Sequence, residues 1–335
     1  MRFRFMKAII WRLAILLLAT VTAFPVTAQN SSTVQTNEAR SLVLVIGAAG
    51  ELEYGEAFAR SADLWTEAAR QGGFRTVVIG QGTNSVADDK VQLLTTITNE
   101  IAASGGELWV VLIGHGTFDG KTAKFNLRGP DISSDELAAA LKNCRRPLAV
   151  INCASASGPF LKALSGPGRV VITATRSGYE LNLTRFGDYL AKAIGSPEAD
   201  LDKDGQTSLL EAYLMASRQV EQFYTESGRL ATEHSLMDDN GDGLGTPAEF
   251  FVGVRATKKA EGGRSTDGVR AHQMNVIRGT EEARLSPERR AQRDALESEL
   301  NALRERKTSM AEDDYYRELE RVLEAIARIY LQPET

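Results

Sequence analysis

The chain has 335 residues, of which 43 % are hydrophobic, 25 % charged and 7 % aromatic, and its formal net charge is −5. That much apolar side chain excludes a disordered chain, and the slight acidity excludes a broad nucleic-acid surface. Two cysteines exclude a disulfide-built scaffold, and the length allows one large core with an appendage or two domains.

Arg2, Arg4, Lys7 and Arg12 precede an apolar run over residues 13–24, and small residues then lead to Val26-Thr27-Ala28. This is the layout of a secretory signal, predicted to span 1–28 and to be cleaved after Ala28. The run is shorter than the ~20 apolar residues that cross a bilayer, so no stable membrane span is expected. The mature protein is then periplasmic or extracellular. Loss of those four basic residues takes the net charge from −5 to −9.

Residues 41–173 alternate short apolar runs with amphipathic ones. Strands are predicted at 41–46, 76–79, 108–113, 148–152 and 169–173. Helices are predicted between them: one carrying Phe58, Ala62, Trp65 and Ala69, then 86–103, 133–142 and 158–164. Ser133 with Glu136 three residues on is a capping box. Near-continuous β-branched runs separated by helices are what a parallel sheet covered on both faces requires. The fold class is therefore α/β, a three-layer α/β/α sandwich with a mostly parallel central sheet. Further helices are predicted at 186–194 and 209–225.

Two acidic stretches carry a twelve-residue cation-loop pattern. The first places oxygen donors at Asp200, Asp202, Asp204, Gln206, Ser208 and Glu211, with Gly205 at the sixth position. The second places them at Asp238, Asn240, Asp242, the Leu244 carbonyl, Thr246 and Glu249. Calcium takes six to eight oxygens and this spacing wraps the backbone around it. One or two structural calcium ions are expected, the second loop standing alone because Pro247 opposes an ordinary helix after it. Residues 198–249 hold 12 acidic and three basic residues, a net −9 equal to the whole mature excess.

Residues 257–280 are polar and glycine-rich with little periodicity, which predicts a linker or arm. Residues 281–335 are helical again. Leu296, Leu300 and Leu303, then Tyr315, Leu319, Val322, Leu323, Ile326 and Ile329, give two amphipathic stripes, with Pro287 at a first helical position. This predicts a C-terminal helical hairpin docking on the core or pairing with a second copy in a homo-oligomer.

The strand at 108–113 ends in Gly114-His115-Gly116, and that at 148–152 ends in Cys153-Ala154-Ser155. Side chains at the carboxyl edge of an open α/β sheet line the crevice where ligands bind. A cysteine and a histidine there can act as nucleophile and base. Cys144 precedes its strand and lies toward the opposite edge, which separates it from Cys153.

With His-Gly ending one strand and the cysteine ending the next, the chain resembles the caspase-like cysteine peptidases, most nearly the legumain-like branch. The resemblance covers residues 41–254, including Val45-Ile46-Gly47 and the first helix. It implies that Cys153 is the nucleophile and His115 its catalytic partner, with the amides of Gly116 and Cys153 forming the oxyanion site. It further implies that Thr175, Arg176, Ser177, Gly178 and Tyr179 bind substrate. The cation loops resemble those inserted in some bacterial relatives. The chain departs from the family at Ala49, Ile151 and Asn152, where an asparagine, an acidic residue and a small residue are usual. Glu180 and Asp188 would favour a basic substrate side chain.

The implied activity is a calcium-stabilised, secreted or periplasmic cysteine endopeptidase acting on a peptide or protein through an acyl-enzyme. The alternatives are a transpeptidase of the same fold, or a non-catalytic scaffold or binding protein. No Gly-x-Ser-x-Gly elbow is present, and Gly47-Ala-Ala-Gly50 lacks the full dinucleotide or phosphate-loop pattern.

Overall fold

The computed structural model describes residues 39–82, 88–103, 105–257 and 265–331. The segment read as a signal peptide lies outside the described residues. In chain order, β1 (Ser41–Ile46), α1 (Leu52–Gln71), β2 (Arg75–Ile79), α2 (Asp89–Ala102) and β3 (Leu108–Ile113) come first. Three short strands follow, β4 (Gly116–Phe118), β5 (Ala123–Phe125) and β6 (Ile132–Ser133). Then come α3 (Ser134–Leu141), β7 (Leu148–Asn152), α4 (Gly158–Leu164), β8 (Arg169–Thr173), α5 (Phe186–Ala193), α6 (Leu209–Glu226) and β9 (Leu236–Asp238). The last elements are β10 (Phe251–Val252), β11 (Arg255–Ala256), α7 (Val269–Gln273), α8 (Thr280–Ala283), α9 (Pro287–Glu305) and α10 (Glu312–Leu331).

The central sheet has six strands in the order β2-β1-β3-β7-β8-β9. The first five run parallel, and β9 closes the edge antiparallel to β8. Alternate side chains of each strand enter two separate cores, as the period of two requires. Leu42, Leu44, Trp109, Val111 and Ile151 pack under α1, α5 and α6. Val43, Val45, Val110, Leu112 and Val150 pack under α2, α3 and α4. The protein is thus a three-layer α/β/α sandwich, as its strand pattern predicts. Ser133 and Glu136 form the expected capping box at the start of α3.

One buried ion pair ties the amino edge together. Arg146 reaches Glu100 at 2.9 Å and also donates to the carbonyls of Gly106, Ala39 and Glu107. The α9–α10 hairpin forms, burying Leu300, Leu303, Tyr315 and Val322 of its stripes, while Leu323 is exposed. Among the described residues no helix is long and apolar enough to cross a membrane.

The linker reading of 257–280 needs correction over its described part. Residues 265–279 include α7 and lie against the core, with Ala271, Met274 and Val276 buried. Their polarity misled because much of the docking is between main-chain amides and carboxylates rather than apolar faces. Residues 258–264 lie outside the described residues.

Candidate functional site

Adjacent parallel strands with Leu112 opposite Asn152 bring the ends of β3 and β7 to the same edge of the sheet. His115 follows β3. Its ring lies edge-on to Tyr54 and Phe58 of α1, with centroids 5.0 and 5.1 Å away. Its Nε2 is 3.2 Å from the carbonyl oxygen of Ala49. Nε2–H donating to that carbonyl leaves Nδ1 as the basic nitrogen.

Cys153 follows β7 and keeps its parity, so its side chain enters the α1/α5 core with Ala149 and Ile151. It is 4 % exposed, and burial pushes its thiol up to about 12. Gly187 of α5 lies directly over it, where an added Cβ would stand 2.6 Å from the Cys153 Cβ. Among the described residues the thiol makes no hydrogen bond, so the structure brings His115 and Cys153 to one edge without joining them. Both cysteines are free thiols.

The expected oxyanion donors are both engaged. The Cys153 amide extends the ladder by one residue and donates to the Leu112 carbonyl at 2.9 Å. The Gly116 amide donates to the Ser155 hydroxyl at 3.2 Å, and that hydroxyl donates back to the Gly116 carbonyl at 3.1 Å. Only glycine fits at 116, since a Cβ there would lie 2.1 Å from the Ser155 carbonyl oxygen. Ser155 is therefore the hydroxyl that meets the His-Gly turn. In the sequence it stands out only as a small residue, and its signal is its position two past the cysteine.

The expected substrate segment divides. Thr175 is fully buried and its hydroxyl meets the Ser157 hydroxyl and the Gly158 amide, so it holds the turn after β7 rather than facing a ligand. Gly178 is buried against the Phe118 ring. Arg176 and Tyr179 are exposed; Arg176 pairs with Glu180, and Tyr179 stacks edge-on to Phe118 at 5.1 Å. Ser177 accepts from the Tyr179 amide. Glu180 also takes His234 Nδ1 at 2.6 Å, and its carbonyl accepts the Ala156 amide. This carboxylate–histidine pair beside the turn was not foreseen.

A cavity of about 870 Å³ opens between α1 and α5. Cys153, Ile113 and Gly114 form its floor, Tyr54, Phe58 and Leu64 one wall, and Leu183, Arg185 and Tyr189 the other.

The two acidic loops share one backbone form. Asp200 accepts the amides of Lys203 and Gly205, and Asp238 those of Gly241 and Gly243, the fourth and sixth residues in each loop. Those four residues all have positive φ: 64° and 91° in the first loop, 78° and 75° in the second. Carboxylate oxygens of Asp200, Asp202 and Asp204 lie within 4.8 Å of one another, as do ligand atoms of Asp202, Glu211 and His272. Clustered oxygens on a turned-in backbone fit a hard cation, and His272 is a neighbour from outside the motif. Ser208 departs from its expected role, because its hydroxyl caps α6 and is spent on Glu211. In the second loop the Thr246 hydroxyl donates to Asp267 rather than into the loop. Glu249 is exposed on a short 3-10 turn, and among the described residues it does not gather with Asp238 and Asp242. Gln206 donates its side-chain amide to Asp204, Asn240 and Asp242 accept amides within their loop, and Leu244 is exposed there.

No protein-family model matches the chain, and no curated protein does. Solved structures to which it is similar include the initiator caspase Dronc of Drosophila, at 12 % identity and a TM-score of 0.41, covering 68 % of this chain and 94 % of that one. Caspase-1 from Spodoptera frugiperda gives 10 % and 0.40, covering 66 % and 94 %. Protein GSU0716 from Geobacter sulfurreducens gives 15 % and 0.36, covering 54 % and 89 %.

Proposed function

We propose that the protein is an exported, calcium-stabilised binding protein on a peptidase-like sheet, taking a peptide or protein segment in the groove between α1 and α5. The observation that carries this reading is the placement of Cys153, 4 % exposed beneath Gly187 and with no hydrogen bond to its thiol among the described residues. A nucleophilic cysteine needs a thiolate, which a neighbouring cation or a helix N-terminus supplies by lowering its pKa. Here burial raises it to about 12, and the oxyanion amides beside it already have partners. The groove keeps the position at which open α/β sheets bind ligands. Calcium in the first loop would be held by Asp200, Asp202, Asp204 and Glu211, with main-chain oxygen at Gln206, and would offset part of the mutual repulsion of those carboxylates.

The peptidase reading stays as the second one, because Cys153 forms part of the groove floor and His115 ends the adjacent strand. One experiment separates the two. The mature protein and a Cys153→Ala variant are incubated with a peptide library in calcium, and both binding and cleavage are read by mass spectrometry. Equal retention of peptides by both proteins with no cleavage supports the binding reading. Turnover by the wild type that vanishes in the variant overturns it in favour of the peptidase.

A further inference from the structure

Residues 265–279 touch both cation loops at once. On the first loop, His272 Nε2 lies 3.0 Å from Asp202 Oδ2. The Leu209 amide, just past that loop's Ser208, donates to the Met274 carbonyl at 2.7 Å, and Asn275 bridges Ser208 as an antiparallel pair. The Gly279 amide donates to the Gln206 side chain at 3.1 Å. On the second loop, Asp267 Oδ1 accepts the amides of Asp239 and Asn240 at 2.9 and 3.1 Å, and its Oδ2 accepts the Thr246 hydroxyl at 2.6 Å. Asp239 replies by accepting the amides of Gly268 and Ala271 at 2.9 and 2.8 Å. The same stretch then carries the C-terminal hairpin. Gln273 donates to the Asp294 carbonyl of α9 at 2.9 Å, and the Thr266 amide and hydroxyl donate to Glu305.

These contacts run through positions three, seven, nine and ten of the first loop and two, three and nine of the second. Each such position can keep its strap contact only while its loop holds its shape. A loop that crowds carboxylates within a few ångströms spreads when no cation neutralises them. Such spreading moves the donors and acceptors on which residues 265–279 rest.

We infer that residues 265–279 are a strap through which calcium in the first loop governs the docking of the α9–α10 hairpin on the core. The inference rests on the calcium reading of the loops. Calcium and the strap favour the same arrangement, so each stabilises the other by the same coupling. Coupling reaches from one loop to the other because one short stretch of chain touches both.

The test combines calorimetric titration of calcium with hydrogen-exchange mass spectrometry on the mature protein, in saturating calcium and in chelator. Chelation should raise exchange about fivefold or more, the lower end of ordinary allosteric couplings, in peptides over 265–279 and over α9–α10. The strands β1, β3 and β7 should keep their protection. The decisive variant is Asp204→Ala, which alters the first loop at an exposed residue whose carboxylate, among the described residues, bonds Gln206 and not the strap. With calcium present, its exchange over 265–271, which meets the second loop, should rise as well. Faster exchange confined to 200–211, with calcium heat intact, overturns the strap and leaves the calcium reading standing. No heat in the titration overturns the calcium reading, and the regulation falls with it.

Discussion

The state of the Cys153 thiol can be measured directly. Burial lifts it from an ordinary value of 9.0 to about 12. At pH 8 the first value leaves about a tenth of the thiol ionised and the second about one part in ten thousand, a loss of about a thousandfold in thiolate. A more basic thiolate is also more nucleophilic, which returns about twentyfold. The net expectation is that iodoacetamide modifies folded Cys153 about fiftyfold more slowly than the urea-unfolded chain, with restricted access slowing it further. A Cys144→Ser background leaves one thiol, and pulse alkylation followed by peptide mass spectrometry gives the rate. The logarithm of that rate should climb with unit slope from pH 7 to pH 10, and His115→Ala should leave it unchanged. A plateau below pH 8, or a tenfold fall in His115→Ala, would show imidazolium holding a thiolate and would refute the reasoning. Stability follows the same ionisation. The folded value exceeds the unfolded one, so this group's contribution is complete below about pH 9 and is lost as pH rises toward about 12.

Three other expectations can be checked by urea unfolding. Gly187→Ala drives a Cβ to 2.6 Å from that of Cys153 and should cost ~1–3 kcal/mol, the cost shrinking in a Cys153→Gly background. Arg146→Met removes the more buried of the two arginines on Glu100, whose side chain is 2 % exposed, and should cost ~3–5 kcal/mol; a loss below ~1 kcal/mol would mean that Arg75 alone suffices there. Asp267 is raised to about 7 by burial and then by Asp239. Its folded value lies above the unfolded 3.8, so the calcium-free protein loses stability from this group as pH rises from about 4 to 7. Asp267→Asn should remove that part of the slope, and an unchanged wild-type-minus-variant difference between pH 5 and pH 7.5 would contradict it.

Much of the sheet was legible because its strands are buried on both faces and read as unbroken runs, 41–46 and 108–113 above all. Strand β9 was not. It is three residues long and sits inside an acidic stretch whose cation-loop pattern hides its pairing with β8. The strap was illegible for a related reason, since Ala271, Met274 and Val276 follow no single period and most of its contacts are amides on carboxylates. At the site, sequence placed His115 and Cys153 at one edge. It did not reveal which face of the sheet the thiol would enter. That follows from parity with Ala149 and Ile151, which point under α1 and α5, and from the ladder continuing through the Cys153 amide. Ser155, two residues further on, has left the ladder and meets Gly116 instead.

The local acidity also means something different once its partners are known. A net −9 over 198–249 suggested cation chemistry throughout. Yet Glu233 receives the amides of Arg185 and Phe186 at the start of α5, and Asp239 those of Gly268 and Ala271. These carboxylates are structural acceptors: burial pushes both upward and the amide hydrogen bonds offset part of that cost. Calcium would therefore act on the loop carboxylates and leave the amide-bound acids to their main-chain partners. Asp239 lies one residue past Asp238 and takes the strap's amides, so positive charge in the second loop also eases the crowding of Asp239 against Asp267. Calcium would then act on the strap through charge as well as shape. On that account Asp267→Asn, which removes the crowding without removing a loop ligand, should narrow the exchange difference over 265–271 between calcium and chelator. If the difference keeps its wild-type size, shape alone carries the coupling.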